Sequence, residues 1–328
     1  MYVLGVDIQV LTKRGTIRFT RVNMVEIVSS AKVISDTATI KMPTTARLER
    51  QGRFITEVDT ARVFNVGDEI AINLGYNGDL QEEFYGYISR IKPSTPLEIE
   101  CIDGTWTLRR KNLKASFKKT TLKSLLNFIL EGTGISLKGD VPGVNFTEFY
   151  FKNVTAATAL QKLKDDYGLT IYLKNFNELH VGLSSYTDGT VVKYGISENV
   201  IDNDLEWVNE DDTRIKVKAV HIRPNNTKVE KAVGDLDGET RTLFFYDLDD
   251  PKQLETLALQ ELRKYKYTGY KGGFNTFLLP LVQVGNVARI RDIHFDERGG
   301  DYLVDKVTTT FGTEGARRKI ELGIKVSI

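Results

Sequence analysis

Reactive side chains must sit close together to do chemistry, and the acids of this chain are the first place to look for that. Glu82 stands beside Glu83, and Glu210 beside Asp211 and Asp212. Paired carboxylates cleave glycosidic bonds when one donates a proton and the other acts as base or nucleophile. Both groups lie at turns among other charges, and a solvated loop tip explains them more simply. A metal site needs clustered ligands, yet His180, His221 and His294 are far apart, each within a strand pattern beside polar residues. We read them as strand-surface residues. Asp235-Leu236-Asp237-Gly238 faintly resembles the start of a calcium loop, but Tyr246 stands where the bidentate acid belongs. Cys101 is the only cysteine; it alternates with Leu97 and Ile99 and reads as a small buried hydrophobe rather than a reactive thiol. A disulfide within the chain is excluded, and a cytosolic folding history fits. Neither a Gly-x-Ser-x-Gly elbow nor a glycine-rich phosphate loop occurs. We therefore expect no catalytic residues, no metal and no cofactor.

The strongest charge feature is the basic run Arg109, Arg110, Lys111, Lys114, Lys118, Lys119 and Lys123, interleaved with Trp106 and Phe117. Such a run can track a phosphate backbone. The 328-residue chain nevertheless carries a net charge of only +1, so no global field draws it to nucleic acid or membrane, and a solvated junction or ion-paired contact is the simpler reading. Hydrophobic content of 41% and charge of 27% are those of a folded domain rather than a disordered or fibrous one. The N-terminus lacks a secretion signal, and no apolar run is long enough to span a membrane.

The elements that would position these residues are mostly strands. In residues 1–112, which read as almost all strand, alternation marks Val6 to Val10, Ile17 to Phe19, Val25 to Val28, Thr37 to Ile40 and Leu97 to Asp103. Composition changes at 113–184. Thr120 or Thr121 caps a helix with Leu122, Leu125, Leu126, Ile129 and Leu130 on one stripe, stopped by Gly132 and Gly134. Thr155 caps a second with Ala156, Ala159, Leu160 and Leu163, ended by Tyr167-Gly168. Short strands, Phe149 to Phe151, Leu169 to Leu173 and Leu179 to Val181, make this a small α/β unit. A linker, Ser184-Ser185-Tyr186-Thr187-Asp188-Gly189, leads back into β-structure. Residues 185–328 hold loop tips at Asn225-Asn226 and Gly234 to Gly238. One helix near 251–265 is capped by Asp249 or Asp250, with Pro251 in its first turn.

One β-module occurs twice. Phe64 to Ile91 contains Val66-Gly67-Asp68, a strand through Ile70, Ile72 and Leu74, a Gly-Tyr-Asn-Gly-Asp connection and a second alternating strand. Leu281 to Val307 contains Val284-Gly285-Asn286, a charged Gly-Gly tip and a strand through Tyr302 and Val304. Element order and turn chemistry agree although the letters diverge, and a duplicated module suits a scaffold better than an enzyme. Asp68 becomes Asn286, a change that a turn accepts and a catalytic acid does not.

With that order in view, the sequence resembles the late control protein D family of phage tails, the baseplate hubs of contractile tails. That family is related to the N-terminal hub part of type VI secretion VgrG spike proteins. The matching residues are Asp36 to Ile40, Phe64 to Ile70, Phe84 to Ile88, Leu97 to Asp103, the unit around Leu160 to Ile171, Val284 to Val287 and Tyr302 to Val304. The resemblance implies an α+β, mainly β fold: two tube-like antiparallel β-barrel domains with a small inserted α/β domain. The first barrel would comprise 1–112, completed by strands from about 190–232; the insertion 113–184; and the second barrel 185–328. It further implies a non-enzymatic homotrimer, a pseudo-sixfold ring adapting a sixfold tail tube to a threefold spike. The expected partners are the tail tube protein, a separate spike protein and other baseplate proteins. No membrane anchor is implied, and DNA enters only as cargo passing through the ring. The setting implied is the virion tail baseplate, assembled in the bacterial host cytoplasm. The chain shows neither a needle nor a lysozyme module, so any wall hydrolysis falls to a partner. The candidate assembly surface comprises Asn77, Asp79, Glu82 and Glu83 in the first module and Asp296, Glu297 and Arg298 in the second. The competing expectation is a tail component that binds cell-wall glycan or hydrolyses peptidoglycan, built on residues 113–184.

Overall fold

The computed structural model describes residues 3–326 apart from 14, 51–52, 140, 184–186, 188, 223–225 and 246–249. Most of the expected linker, with Asn225, Tyr246 and Asp249, therefore lies outside the described residues. The first part of the chain forms β1 (Leu4–Thr12), β2 (Gly15–Phe19), β3 (Met24–Ser30), β4 (Thr37–Met42), β5 (Thr45–Arg50), β6 (Arg53–Asp59), β7 (Glu69–Tyr76), β8 (Asp79–Lys92) and β9 (Leu97–Ile102). A helix the strand patterns did not announce, α1 (Thr105–Arg110), follows. It starts where Asp103 accepts a hydrogen bond from the Thr105 amide, so an acid two residues ahead of the helix was its sequence signal.

The inserted unit comprises β10 (Asn112–Thr121), α2 (Leu122–Leu130), β11 (Ser136–Lys138), β12 (Asn145–Thr155), α3 (Ala156–Tyr167), β13 (Thr170–Lys174) and β14 (Glu178–Gly182). Its helices begin as the hydroxyl patterns require: Thr121 accepts from the Ser124 amide and Thr155 from the Thr158 amide. Gly168, at φ 61°, ends α3. After it come β15 (Val191–Gly195), β16 (Val200–Asn203), β17 (Glu206–Val208), β18 (Ile215–Ile222), β19 (Lys228–Gly234), β20 (Glu239–Phe245) and α4 (Pro251–Arg263), capped by Asp250. The chain closes with β21 (Gly269–Lys271), β22 (Gly273–Thr276), β23 (Val287–Arg291), β24 (Gly300–Gly312) and β25 (Gly315–Val326).

The fold is α+β and mainly β, as expected, but the barrels are not. Among the described residues no sheet closes; a single thirteen-stranded sheet runs β16-β22-β25-β24-β3-β4-β9-β8-β7-β1-β2, with β23 and β15 attached beside β24. The join is an antiparallel pairing of β24 with β3, from Lys306 opposite Ser30 to Gly312 opposite Met24. A late strand therefore extends the first half, not strands of 190–232, which pair elsewhere. The short strands β2 and β16 remain as the ends of an open path.

Three apolar cores are present, two of them against this sheet. One gathers Ile8, Ile40, Ile72, Ile88 and Ile99 from the first half and takes in Phe311 and Ala316 from β24 and β25. A second surrounds Tyr194, Phe274, Tyr302 and Ile320. The third fuses the helices of the inserted unit with β18 and α4 through Leu160, Leu163, Val217, Ala219 and Leu254.

Candidate assembly surface and the seam between the halves

The duplicated module is duplicated at the level of hydrogen bonds. In the first copy the Asp68 amide donates to the Asn65 carbonyl (3.1 Å), and the Asp68 carboxylate accepts from the Asn65 amide (2.9 Å). In the second, the Asn286 amide donates to Gln283 (3.1 Å) and the Asn286 side-chain oxygen accepts from the Gln283 amide (2.9 Å). Each turn carries glycine at positive φ, 95° at Gly67 and 85° at Gly285. L-residues with a Cβ resist that conformation. Each turn then docks on the second strand of its own module: Gly67 donates to the Ile88 carbonyl and Ile88 to Asp68, while Gly285 donates to Val304 and Val304 to Asn286. Only an acceptor oxygen is required of the last turn residue, which is why aspartate and asparagine exchange freely.

The two copies are covered differently. The Gly67 turn lies under the Trp106 ring of α1, at van der Waals distance from where a Cβ would be. The Gly285 turn is pressed by Tyr172 of β13, whose hydroxyl would lie 2.1 Å from an added Cβ. The inserted unit thus packs directly on the second module.

The candidate surface residues divide. Asn77 and Gly78 form a two-residue hairpin turn between β7 and β8, at φ 55° and 87°, so only the middle of the Gly-Tyr-Asn-Gly-Asp connection is turn and its ends belong to the strands. Asn77 is tied to the chain start, its side chain accepting from the Val3 amide (2.9 Å). Asn77, Asp79 and Glu82 are exposed, as are Asp296 and Glu297; Arg298 is half-buried, its guanidinium 4.0 Å from the Phe295 ring centroid. The turn before it is fixed by Asp292, which accepts from the His294 amide (2.9 Å) and the Tyr270 hydroxyl (2.7 Å). Glu83 departs from expectation. Its side chain is 4% exposed and forms a bidentate pair with Arg318 of β25, itself 1% exposed, at 2.6 and 3.0 Å. The alternation of β8 turns Glu83 inward where Glu82 turns outward. Arg318 also donates to the Leu278 carbonyl (2.8 Å) and the Thr309 hydroxyl (3.2 Å), so its charge is solvated by the protein. The residue that sequence reading missed was Arg318; its signal was a cation on the same strand face as Ile320 and Leu322.

Glu83 and Arg318 line a cleft of about 360 Å³ between the two halves, together with Asp36, Asp103, Lys174 and Phe176. Asp36 and Asp103 form a backbone-linked pair: the Asp36 amide donates to the Asp103 carboxylate (2.9 Å), and the Asp103 amide to the Asp36 carbonyl (3.1 Å). Burial raises Asp103 to about 6, against the pull of Thr105, the Asp36 amide and Arg109. Burial and the neighbouring Asp103 charge hold Asp36 well above the usual carboxylate range. Asp36, Asp103 and Glu83 are thus each engaged within the fold, while the exposed Glu82 also lines the cleft. At a second seam Lys164 of α3 donates to the carbonyls of Ile171 and Ala31, tying the insertion to the β3–β4 connection; burial lowers it to about 8.

The remaining candidates are structural. His221 is not on a surface: it shares a strand face with Val217 and Ala219, is 3% exposed, and its Nδ1 lies 3.1 Å from the Phe245 carbonyl. His180 stacks on Tyr172 with ring centroids 5.2 Å apart. His294 is exposed, in a turn rather than a strand. Strand faces that look half-polar in sequence are covered here by other elements. Among the described residues no group of His, Cys, Asp and Glu could hold a metal. Asp235 is taken by Lys266 (2.6 Å), and burial pushes the Cys101 thiol far up. The basic run is no single patch. Arg110 lies over Trp106, Lys111 donates to the Phe128 carbonyl at the end of α2 (2.9 Å), and Lys114 and Lys118 lie on β10. No described helix is long and apolar enough to cross a membrane.

An open, mainly β scaffold with a repeated hairpin module and an inserted α/β unit is the class that this geometry defines. No family model and no curated protein matches the sequence. Solved structures with the same fold include tail proteins and a type VI secretion component. The 43 kDa tail protein of prophage MuSo2 from Shewanella oneidensis superposes with a TM-score of 0.68 at 14% identity, covering 98% of both chains. The tail protein from Neisseria meningitidis MC58 gives 0.67 at 14% identity, over 97% of this chain and 96% of that one. The Escherichia coli c3393 protein, a component of the type VI secretion system, gives 0.55 at 11% identity over 93% and 74%. This chain therefore has the fold common to phage tail proteins and a type VI secretion component, the fold that its motif order implied.

Proposed function

We propose that this chain is a non-enzymatic hub of a phage or phage-like tail, acting as a trimeric ring that adapts a sixfold tube to a threefold spike. The observation that carries the reading is the duplicated turn, identical in hydrogen bonding and placed once in each half of a continuous sheet. Two equivalent modules per chain give three chains six equivalent positions, which is the number a sixfold tube presents. The open ends of the sheet path, β2 and β16, support it further. They are strand edges that ring neighbours can pair, which protects them from uncontrolled association. On this reading the two halves are the tube-like domains, closed between chains rather than within one. The hairpin tip at Asn77, Asp79 and Glu82 and the turn at Asp296, Glu297 and Arg298 face ring neighbours or the tube. An obligate interface of this kind buries upwards of roughly 2,000 Å².

Tail tube, spike and other baseplate proteins are the partners in this proposal, with DNA passing through the ring as cargo. In the cleft, Glu83, Asp103 and Asp36 are engaged by Arg318, Thr105 and Ser29 respectively, which favours a structural role over the wall-hydrolase alternative. Light scattering of the chain, alone and with a candidate spike protein, tests the proposal. A mass three times that of the chain is expected in at least one sample. Charge reversal at Asp79 and Glu82, or at Asp296 and Glu297, should then reduce trimer formation without lowering the unfolding temperature. A strict monomer in both samples overturns the ring; trimers indifferent to these reversals overturn the assignment of surfaces.

A further inference from the structure

The inserted unit carries an open strand edge beside an apolar groove. Among the described residues β12 pairs with β10 alone, in a two-stranded ribbon. Immediately after β12 the chain enters α3, which lies back along the strand. Between them runs a groove of about 270 Å³, room for on the order of nine waters. Four consecutive residues of β12, Phe149 to Lys152, line it. Successive side chains of a strand point to opposite faces, so a groove lined by all four is walled by the backbone edge itself. Phe149 and Phe151 turn to the inner face, and the small Ala159 of α3 leaves space opposite them.

The polar rim is predominantly basic. Lys152 and Lys162, both exposed, flank the groove, and the exposed Asp166 is the one acid among its lining residues. On the outer face of the ribbon Lys152 stands directly opposite Lys114. Like charges facing each other across a strand pair weaken it, and an anionic neighbour would relieve that cost. Tyr150, 49% exposed, sits on the same outer face. A second copy of this edge would bring its own Lys152 against the first, so the edge discourages self-pairing.

We propose that this edge and groove form a docking site for an extended peptide segment of another protein, one in which acidic and apolar residues alternate. Added as a third strand, such a segment sets its apolar side chains between Phe151 and Ala159 and its carboxylates beside Lys152 and Lys162. Its backbone supplies the ladder partners that β12 lacks among the described residues. The proposal stands independently of the tail reading, since it uses only the inserted unit.

The test titrates the full chain with a fluorescein-labelled dodecapeptide of alternating glutamate and valine, with hydrogen exchange read at the amides of 148–153. Saturable binding is expected, with slowed exchange there. Binding should be at least tenfold weaker for K152E/K162E, whose two positions are exposed, and for a peptide with proline at alternate positions. Absence of saturable binding overturns the proposal. So does equal binding of the double variant or of a lysine-for-glutamate peptide, or binding without protection at 148–153. Protection that rises with protein concentration in the absence of peptide would identify a second copy as the occupant and overturn it equally.

Discussion

Gly67 and Gly285 occupy the same place in the two modules and differ in what lies over them. Alanine at Gly67 must adopt φ near 95° under Trp106, where a Cβ fits. We expect Gly67→Ala to cost about 1–2 kcal/mol, the usual left-handed penalty. Gly285→Ala pays the same backbone cost and also drives its Cβ against the Tyr172 ring, 2.1 Å from the hydroxyl. It should be clearly the more destabilising in urea unfolding, and the reverse order would show that Tyr172 does not seat on the second turn. The glycines and their Asx partners were legible because a turn is specified by three or four adjacent residues. Tyr172 as the cover was not, since nothing in its own strand names Gly285 as its neighbour.

Among the elements, β8 and β25 are joined by Glu83 and Arg318, 235 residues apart. Removing one member of a buried pair leaves an uncompensated charge, at a cost of about 3–5 kcal/mol. Glu83→Ala and Arg318→Ala should each lose stability of that order by denaturant titration, and the double variant should lose less than the two combined. Single losses under about 1 kcal/mol would contradict a dry pair. The helices α2, α3 and α4 were legible from Thr121, Thr155 and Asp250-Pro251, because caps and apolar stripes act over one or two turns. The short helix α1 was hidden by the strand alternation that runs into Asp103.

For the molecule as a whole, pH acts through the buried acids. An unfolded aspartate titrates near 3.9, whereas Asp103 in the fold stays protonated up to about 6 through burial, and Asp36 and Asp305 are raised for the same reason. The folded chain therefore binds protons before the unfolded chain does, and stability rises as pH falls from 7 through 6 towards 4. Below about 4 the sign reverses. Asp7, Asp292 and Asp301 are held low by Arg18, Tyr270 and Arg289 respectively, and their contribution is lost on protonation. Unfolding temperature against pH should thus pass through a maximum on the acid side of neutrality. Asp103→Asn should flatten the rise between pH 7 and 5; an unchanged slope would remove Asp103 as its source.

Turn chemistry, helix caps, strand alternation and the repeat of one module were determined by the sequence itself, since each rests on residues a few positions apart. From these the mainly β class and the likeness to tail proteins could be read. Tertiary structure alone decided that β24 joins β3 into one open sheet, that Glu83 turns inward to Arg318, and that His221 is covered. Alternation tells a strand which face is apolar, but not which distant strand or helix will lie beside it, and the environment of a charge depends on that choice.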